Sequence, residues 1–221
     1  MATSTTSSHS MTVSEWLFKL FWLFFIASFL GVVLESVWCI ITRGIYESRT
    51  GLIYGSFNLV YGIGAIAMTL CLQPVQHKSD QIIFFGGFLV GSIFEYICSL
   101  IQQHMFGTVS WDYSNFWFNL DGRVNLVYSC FWGLLAIAWI KWILPKILNW
   151  ITYIPHSAKF SLTCILVCFM TINILISALA LNRQTERREH IPADNQFELL
   201  LDYLYPDERL AQIYPNMLYL E

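Results

Sequence analysis

Five stretches of this chain are apolar for about twenty residues at a time, at 20–41, 52–72, 82–101, 124–143 and 160–181. At 1.5 Å per residue, runs of that length can cross a hydrocarbon layer of about 30 Å. With 56% hydrophobic and only 12% charged residues in 221, the chain holds far more apolar surface than a soluble core of its size could bury. The expected fold is all-α, a polytopic membrane helix bundle of about five transmembrane helices. Residues 1–10 carry no Lys or Arg and no small-residue cleavage site follows, so the first run is expected to persist as a helix and not leave as a signal peptide. The organisation read from composition is a disordered polar tail at 1–14, a bundle at 15–181 and an acidic extension with short helices at 182–221.

Two carboxylates interrupt these runs. Glu35 and Glu95 each follow a glycine by four residues, Gly31 and Gly91, and each lies past the midpoint of its span. An ionisable group at such depth costs about 3 kcal/mol or more, so it requires a partner and points to a function. Asn58 and Tyr61 in the second span, and Asn125, Tyr128 and Ser129 in the fourth, fall in the same leaflet. Helical spacing would put Tyr54, Asn58 and Tyr61 on one face, and Asn125, Tyr128, Ser129 and Trp132 on another. The four helices could converge on one polar cavity.

The connections on that side hold the remaining candidates. Arg43, Glu47 and Arg49 join spans one and two. Between spans three and four runs a longer segment from Gln102 to Arg123, with His104, Trp111, Asp112, Tyr113, Asn119 and Asp121 among clustered aromatics. Such a segment is either an interfacial aromatic belt or a re-entrant lid, because irregular backbone at membrane depth needs protein or water to satisfy it. Arg43, Arg49 or Arg123 would neutralise the buried acids, and Asp112, Tyr113, Asn119 and Asp121 would line an entrance. Two short words recur: glycine, three residues, glutamate at 31–35 and 91–95, and Asn-Leu-Val-Tyr at 58–61 and 125–128. Two helical hairpins in one orientation would give a parallel repeat with a site between the halves.

Several strings resemble a known family. Leu30-Gly31 with Glu35, Gly51-Leu52-Ile53-Tyr54-Gly55, Tyr61-Gly62-Ile63-Gly64, Glu95-Tyr96, Trp111-Asp112-Tyr113-Ser114, Phe118-Asn119-Leu120, Gly122-Arg123 and Phe131-Trp132-Gly133 are similar to the bacterial membrane proteins titled putative ABC-transporter type IV. The tail string Tyr205-Pro206-Asp207-Glu208 is similar too. Ser56 and Leu59 stand where such proteins often carry proline, and Asn58 where cysteine is common. The resemblance implies a multi-pass transporter component in a bacterial cell membrane, with its solute unspecified.

Other chemistry is not written in the chain. It has no Gly-x4-Gly-Lys-Ser/Thr loop, no His-Glu-x2-His helix and no Gly-x-Ser-x-Gly elbow. No catalytic residue, metal site, cofactor or nucleic-acid partner is expected, and energy would come from a separate ATPase subunit or an ion gradient. The six cysteines all lie in the apolar runs and suggest packing in place of a disulfide framework. Five lysines on one side against six arginines on the other leave the orientation unassigned. Residues 182–221 hold four Arg against eight Asp and Glu. Phe197, Leu200, Leu201 and Leu204 fall at helical spacing there, and Pro206 and Pro215 bound the next short segment. The expected partners are the lipid bilayer, a separate ATPase subunit and further copies of the chain in a homo-oligomer. Two rival readings are an enzyme acting on a lipid-like substrate through Asp112, Asp121, His104 and the glutamates, and a scaffold recruiting a partner through its acidic tail.

Overall fold

The computed structural model describes residues 12–219. Helix α1, Val13–Arg43, begins at a reciprocal cap in which Glu15 N donates to Thr12 Oγ1 and Thr12 N to Glu15 Oε2. It ends on Gly44 in the left-handed region, the common helix stop. The expected disordered tail therefore overlaps the helix at residues 13 and 14, and residues 1–11 lie outside the described part. Helix α3 spans Asp80–Phe106 and α6 spans His156–Arg188. A fourth long rod, Leu126–Thr152, is α4 (Leu126–Ala138), a π-turn (Trp139–Ile143) and α5 (Leu144–Thr152) in series. Pro145 cannot donate to the preceding turn, and the wide turn before it absorbs the mismatch.

These four helices are long and apolar enough to cross a membrane. Their outward side chains, among them Leu34, Trp38, Phe85, Leu89, Ile165 and Leu175, are more than half exposed, a surface that a bilayer covers. Inside, Trp22, Leu23, Met68, Ile83, Ala136, Trp139, Ile140, Leu144 and Ile147 form the principal core.

The second apolar run is corrected. Helix α2 occupies only Leu59–Leu72, extended by one 3₁₀ turn through Val75, so its 14 residues cover about 21 Å. Residues 52–58 are irregular, and Tyr54 and Asn58 do not share a helical face with Tyr61. Asn58 is the N-cap, its Oδ1 accepting from Val60 N. Asn125 caps α4 in the same way, accepting from Val127 N, so it too precedes the helix on which it was expected. The two copies of Asn-Leu-Val-Tyr are two equivalent helix starts.

The acidic extension folds back on the bundle. Helices α7 (Gln196–Leu204) and α8 (Asp207–Ile213) close a second small core of Leu201, Tyr205, Leu210 and Tyr214 over Ala180 and Ile53. Pro206 separates the helices, while Phe197 and Leu200 face outward and Leu201 inward. Two short antiparallel pairs complete the structure: β1 (Thr108–Val109) with β4 (Leu218–Tyr219), and β2 (Asn119–Leu120) with β3 (Val124–Asn125).

Candidate functional site

After α1 the chain runs back along the helix it has just left. Asn58 N donates to the carbonyl of Ser28, fifteen residues before the end of α1 and about 22 Å back along it. On the way Arg49 reaches Glu35, with Nη1 at 3.3 Å from Oε1, and Glu47, with Nη2 at 2.9 Å from Oε2. Arg49 is largely buried, and its Nε has no hydrogen-bond partner. Arg43 is different: 60% exposed, it pairs with Glu47 at 3.1 Å. The irregular backbone at 53–54 is satisfied by α6, where Ser177 Oγ accepts from Ile53 N, Asn173 Oδ1 accepts from Tyr54 N and Asn173 Nδ2 donates to Tyr54 O. Two polar side chains of an apolar span thus let non-helical backbone lie inside the bundle. Neither was anticipated, though their four-residue spacing in a run of aliphatics was visible.

The segment after α3 makes the same return. Ser110 Oγ donates to Gln102 Oε1, Arg123 Nη1 to Ser99 Oγ at 2.9 Å and Nη2 to Gln103, and Tyr96 Oη to Asp121 Oδ2 at 2.8 Å. Tyr113 goes deepest, its Oη donating to Glu95 Oε1 at 2.9 Å. Trp132 of α4 gives the second donor, Nε1 to Glu95 Oε2 at 3.0 Å. Glu95 is 6% exposed, against 35% for the Glu35 side chain. The expected guanidinium partnership therefore holds for Glu35 through Arg49 and is corrected for Glu95. Arg123 binds Ser99 and Gln103 instead, because the turn carrying it pairs with the last two turns of α3, beyond Glu95. Trp132 reaches the acid because Gly91 has no side chain: a Cβ there would collide with the indole. Gly31 makes the matching space for the ring of Tyr61. Close approach through small residues is how helices pack where no hydrophobic force drives them together.

The remaining candidates build this return segment. Trp111 Nε1 donates to Arg123 O, Tyr113 N to Gly122 O, and Asn125 Nδ2 to Trp117 O. Asn119 holds the turn through Phe116 O and Gly122 N. Asp112 accepts from Ser114 N and Oγ, and those bonds hold its carboxyl below the usual carboxylate range. Phe118 and Asp121 lie in the left-handed region, at φ 57° and 54°, beside Gly122 at φ 66°. The segment folds back against α3 at Tyr113 and turns outward at Trp117 and Phe118, which are 87% and 77% exposed. Tyr128 stacks on Tyr113 with centroids 4.7 Å apart. Among the described residues no cluster of three His, Cys, Asp or Glu could hold a metal ion.

Long apolar helices, a half-length helix and two return segments that reach intramembrane carboxylates define a polytopic helical membrane protein with a polar layer towards one face. The family model described as Putative ABC-transporter type IV matches residues 22–178, and the chain belongs to that family. No curated protein matches the chain. No solved structure matches it either.

Proposed function

We propose that this chain is a permease-type component of a bacterial cell-membrane transporter, binding or passing a solute or ion beside Glu95, with a separate ATPase subunit supplying the energy. One observation carries the reading: Glu95 is almost wholly buried in a membrane span and is held by two uncharged donors, with no ion pair among the described residues. A carboxylate kept at that depth without a counter-charge is costly unless it serves a passing cation, a proton or a polar solute. Glu35 is by contrast already neutralised by Arg49 and plays the fixed part of the pair. The family to which the chain belongs supports an association with an ATPase, and the sequence has no phosphate-binding loop of its own.

The test is purification from its own cells in mild detergent, followed by identification of bound proteins and assay of ATP hydrolysis in lipid vesicles. An ATPase subunit is expected to co-purify. Glu95→Gln should leave the assembly intact and slow hydrolysis at least about ten-fold, equivalent to about 1.4 kcal/mol on the barrier. A chain that carries no ATPase, or an assembly indifferent to Glu95→Gln, would overturn the reading.

A further inference from the structure

We propose that residues 196–219 form a strap that fixes the partners of both intramembrane acids, and that release of the strap opens the site from this side of the membrane. The inference rests on the reading of that site as the place where a solute or ion is held.

The strap touches the two return segments next to the residues that reach the acids. In the first, Ser48 Oγ and Thr50 Oγ1 donate to Ile213 O at 3.1 and 3.3 Å, and Asn216 Nδ2 donates to Ser48 O at 3.2 Å. Those two residues flank Arg49, the partner of Glu35. Tyr54 and Tyr205 share a hydrogen bond between their hydroxyls at 2.7 Å. In the second, β4 pairs with β1 in the register Thr108 with Tyr219 and Val109 with Leu218. Four residues further along is Tyr113, the partner of Glu95. One segment of chain therefore ties together two loops that are otherwise far apart in sequence.

Around the small apolar core that docks the strap runs a rim of ion pairs. The cations come from the end of α6 and most of their partners from α7 and α8. Arg183, 3% exposed, pairs with Asp202 at 2.8 Å, Glu186 at 2.5 Å and Glu198 at 3.6 Å. Arg187 pairs with Asp202 and with Asp207, the latter at 2.5 Å. The Arg188 guanidinium lies over the ring of Tyr219, 2.8 Å from its centroid. The link between α6 and the strap turns at His190, at φ 62°, just before Pro192. A segment held by a small apolar core and a rim of ion pairs opens at lower free energy than packed transmembrane helices do.

Hydrogen–deuterium exchange of the full chain in lipid nanodiscs tests this. Asp202→Asn combined with Asp207→Asn removes carboxylates from Arg183 and Arg187 without touching α6. Amides at 48–54 and 108–113 are expected to exchange at least about ten-fold faster together with those at 196–219, a shift of about 1.4 kcal/mol in opening, while the centres of α1 and α3 keep their protection. Faster exchange in 196–219 alone, or none anywhere, would overturn the proposal. Should protection vanish throughout, the fold has failed, and a cross-linked chain decides the matter. Thr108→Cys with Tyr219→Cys places two thiols at a strand-paired position, where the Cα separation suits a disulfide. Its oxidised form should slow exchange at 48–54 as well as at 108–113. Slowing confined to 108–113 would overturn the proposal. None of these readouts depends on transport, so a failed turnover test and a failed strap test are separate results.

Discussion

The indole of Trp132 donates to Glu95 at 3.0 Å through a gap that exists only because residue 91 is glycine. Gly91→Ala should therefore act on the acid and on the packing at once. The added Cβ meets backbone-anchored ring atoms of Trp132 and has no flexible tip to displace. Overpacking of this kind costs about 1–3 kcal/mol. Equilibrium unfolding in detergent should show that loss, together with a shift in Trp132 fluorescence that a remote change such as Gly107→Ala does not cause.

Arg49 and Arg43 differ in what surrounds them, and their alanine variants should differ too. Arg49→Ala strands Glu35 in a partly buried setting and leaves Glu47 to Arg43, a loss that for a fully buried pair costs about 3–5 kcal/mol and less here because Glu35 is a third exposed. Arg43→Ala removes an exposed pair worth about 0–1 kcal/mol. Thermal melts in detergent should separate the two by several degrees. Equal shifts would mean that Arg49 does not neutralise Glu35.

Asn58 and Asn125 each cap a helix with Oδ1 and hold a return segment with Nδ2, through Arg49 O and Trp117 O. Loss of an N-cap costs about 1 kcal/mol. Asn125→Ala should cost more than Asn58→Ala, since Asn125 is 1% exposed and the carbonyl it served loses its donor. At the more open Asn58, replacement by Asp keeps the cap acceptor and removes the donor, so Asn58→Asp should fall between wild type and Asn58→Ala in unfolding midpoint.

Asp202 carries a pH dependence of known sign. Hydrogen bonds and charge from Arg183 and Arg187 hold its carboxyl below the ordinary 3.8. A carboxylate with a depressed folded value contributes stability that is fully present above its unfolded value and fades as pH falls through the folded one. Tail docking should then be constant from neutral pH down to about 4 and weaken below it. Exchange protection at 196–204, measured from pH 6 to pH 3, should show this, and Asp202→Asn should flatten the profile.

The apolar runs and the two acids were legible in the sequence because length and burial cost depend on composition alone. The path of residues 52–58 was not. Leu52 is 2% exposed and Ile53 lies under Tyr205, so these residues are as apolar as helix while their amides are satisfied by Asn173 and Ser177 from a span far along the chain. Hydropathy reports burial and says nothing of which backbone partner is used. The partner of Glu95 was missed for a related reason. Charge pairing pointed to Arg123, whereas the geometry made by Gly91 favoured an uncharged indole and phenol, which cost less to desolvate than a guanidinium.

The wide turn at Trp139–Ile143 has a consequence for neighbours on either side. By holding one residue more than an ordinary turn, it swings the buried stripe of the rod around its axis, so that Ala136 packs towards α3 while Ile147 and Ile151 line the side against α1. A single rod thereby stitches the first hairpin to the second. Wound as an uninterrupted α-helix with every residue kept, the rod would carry the segment after Ile143 around by about 100° and turn Ile147 out into the acyl chains.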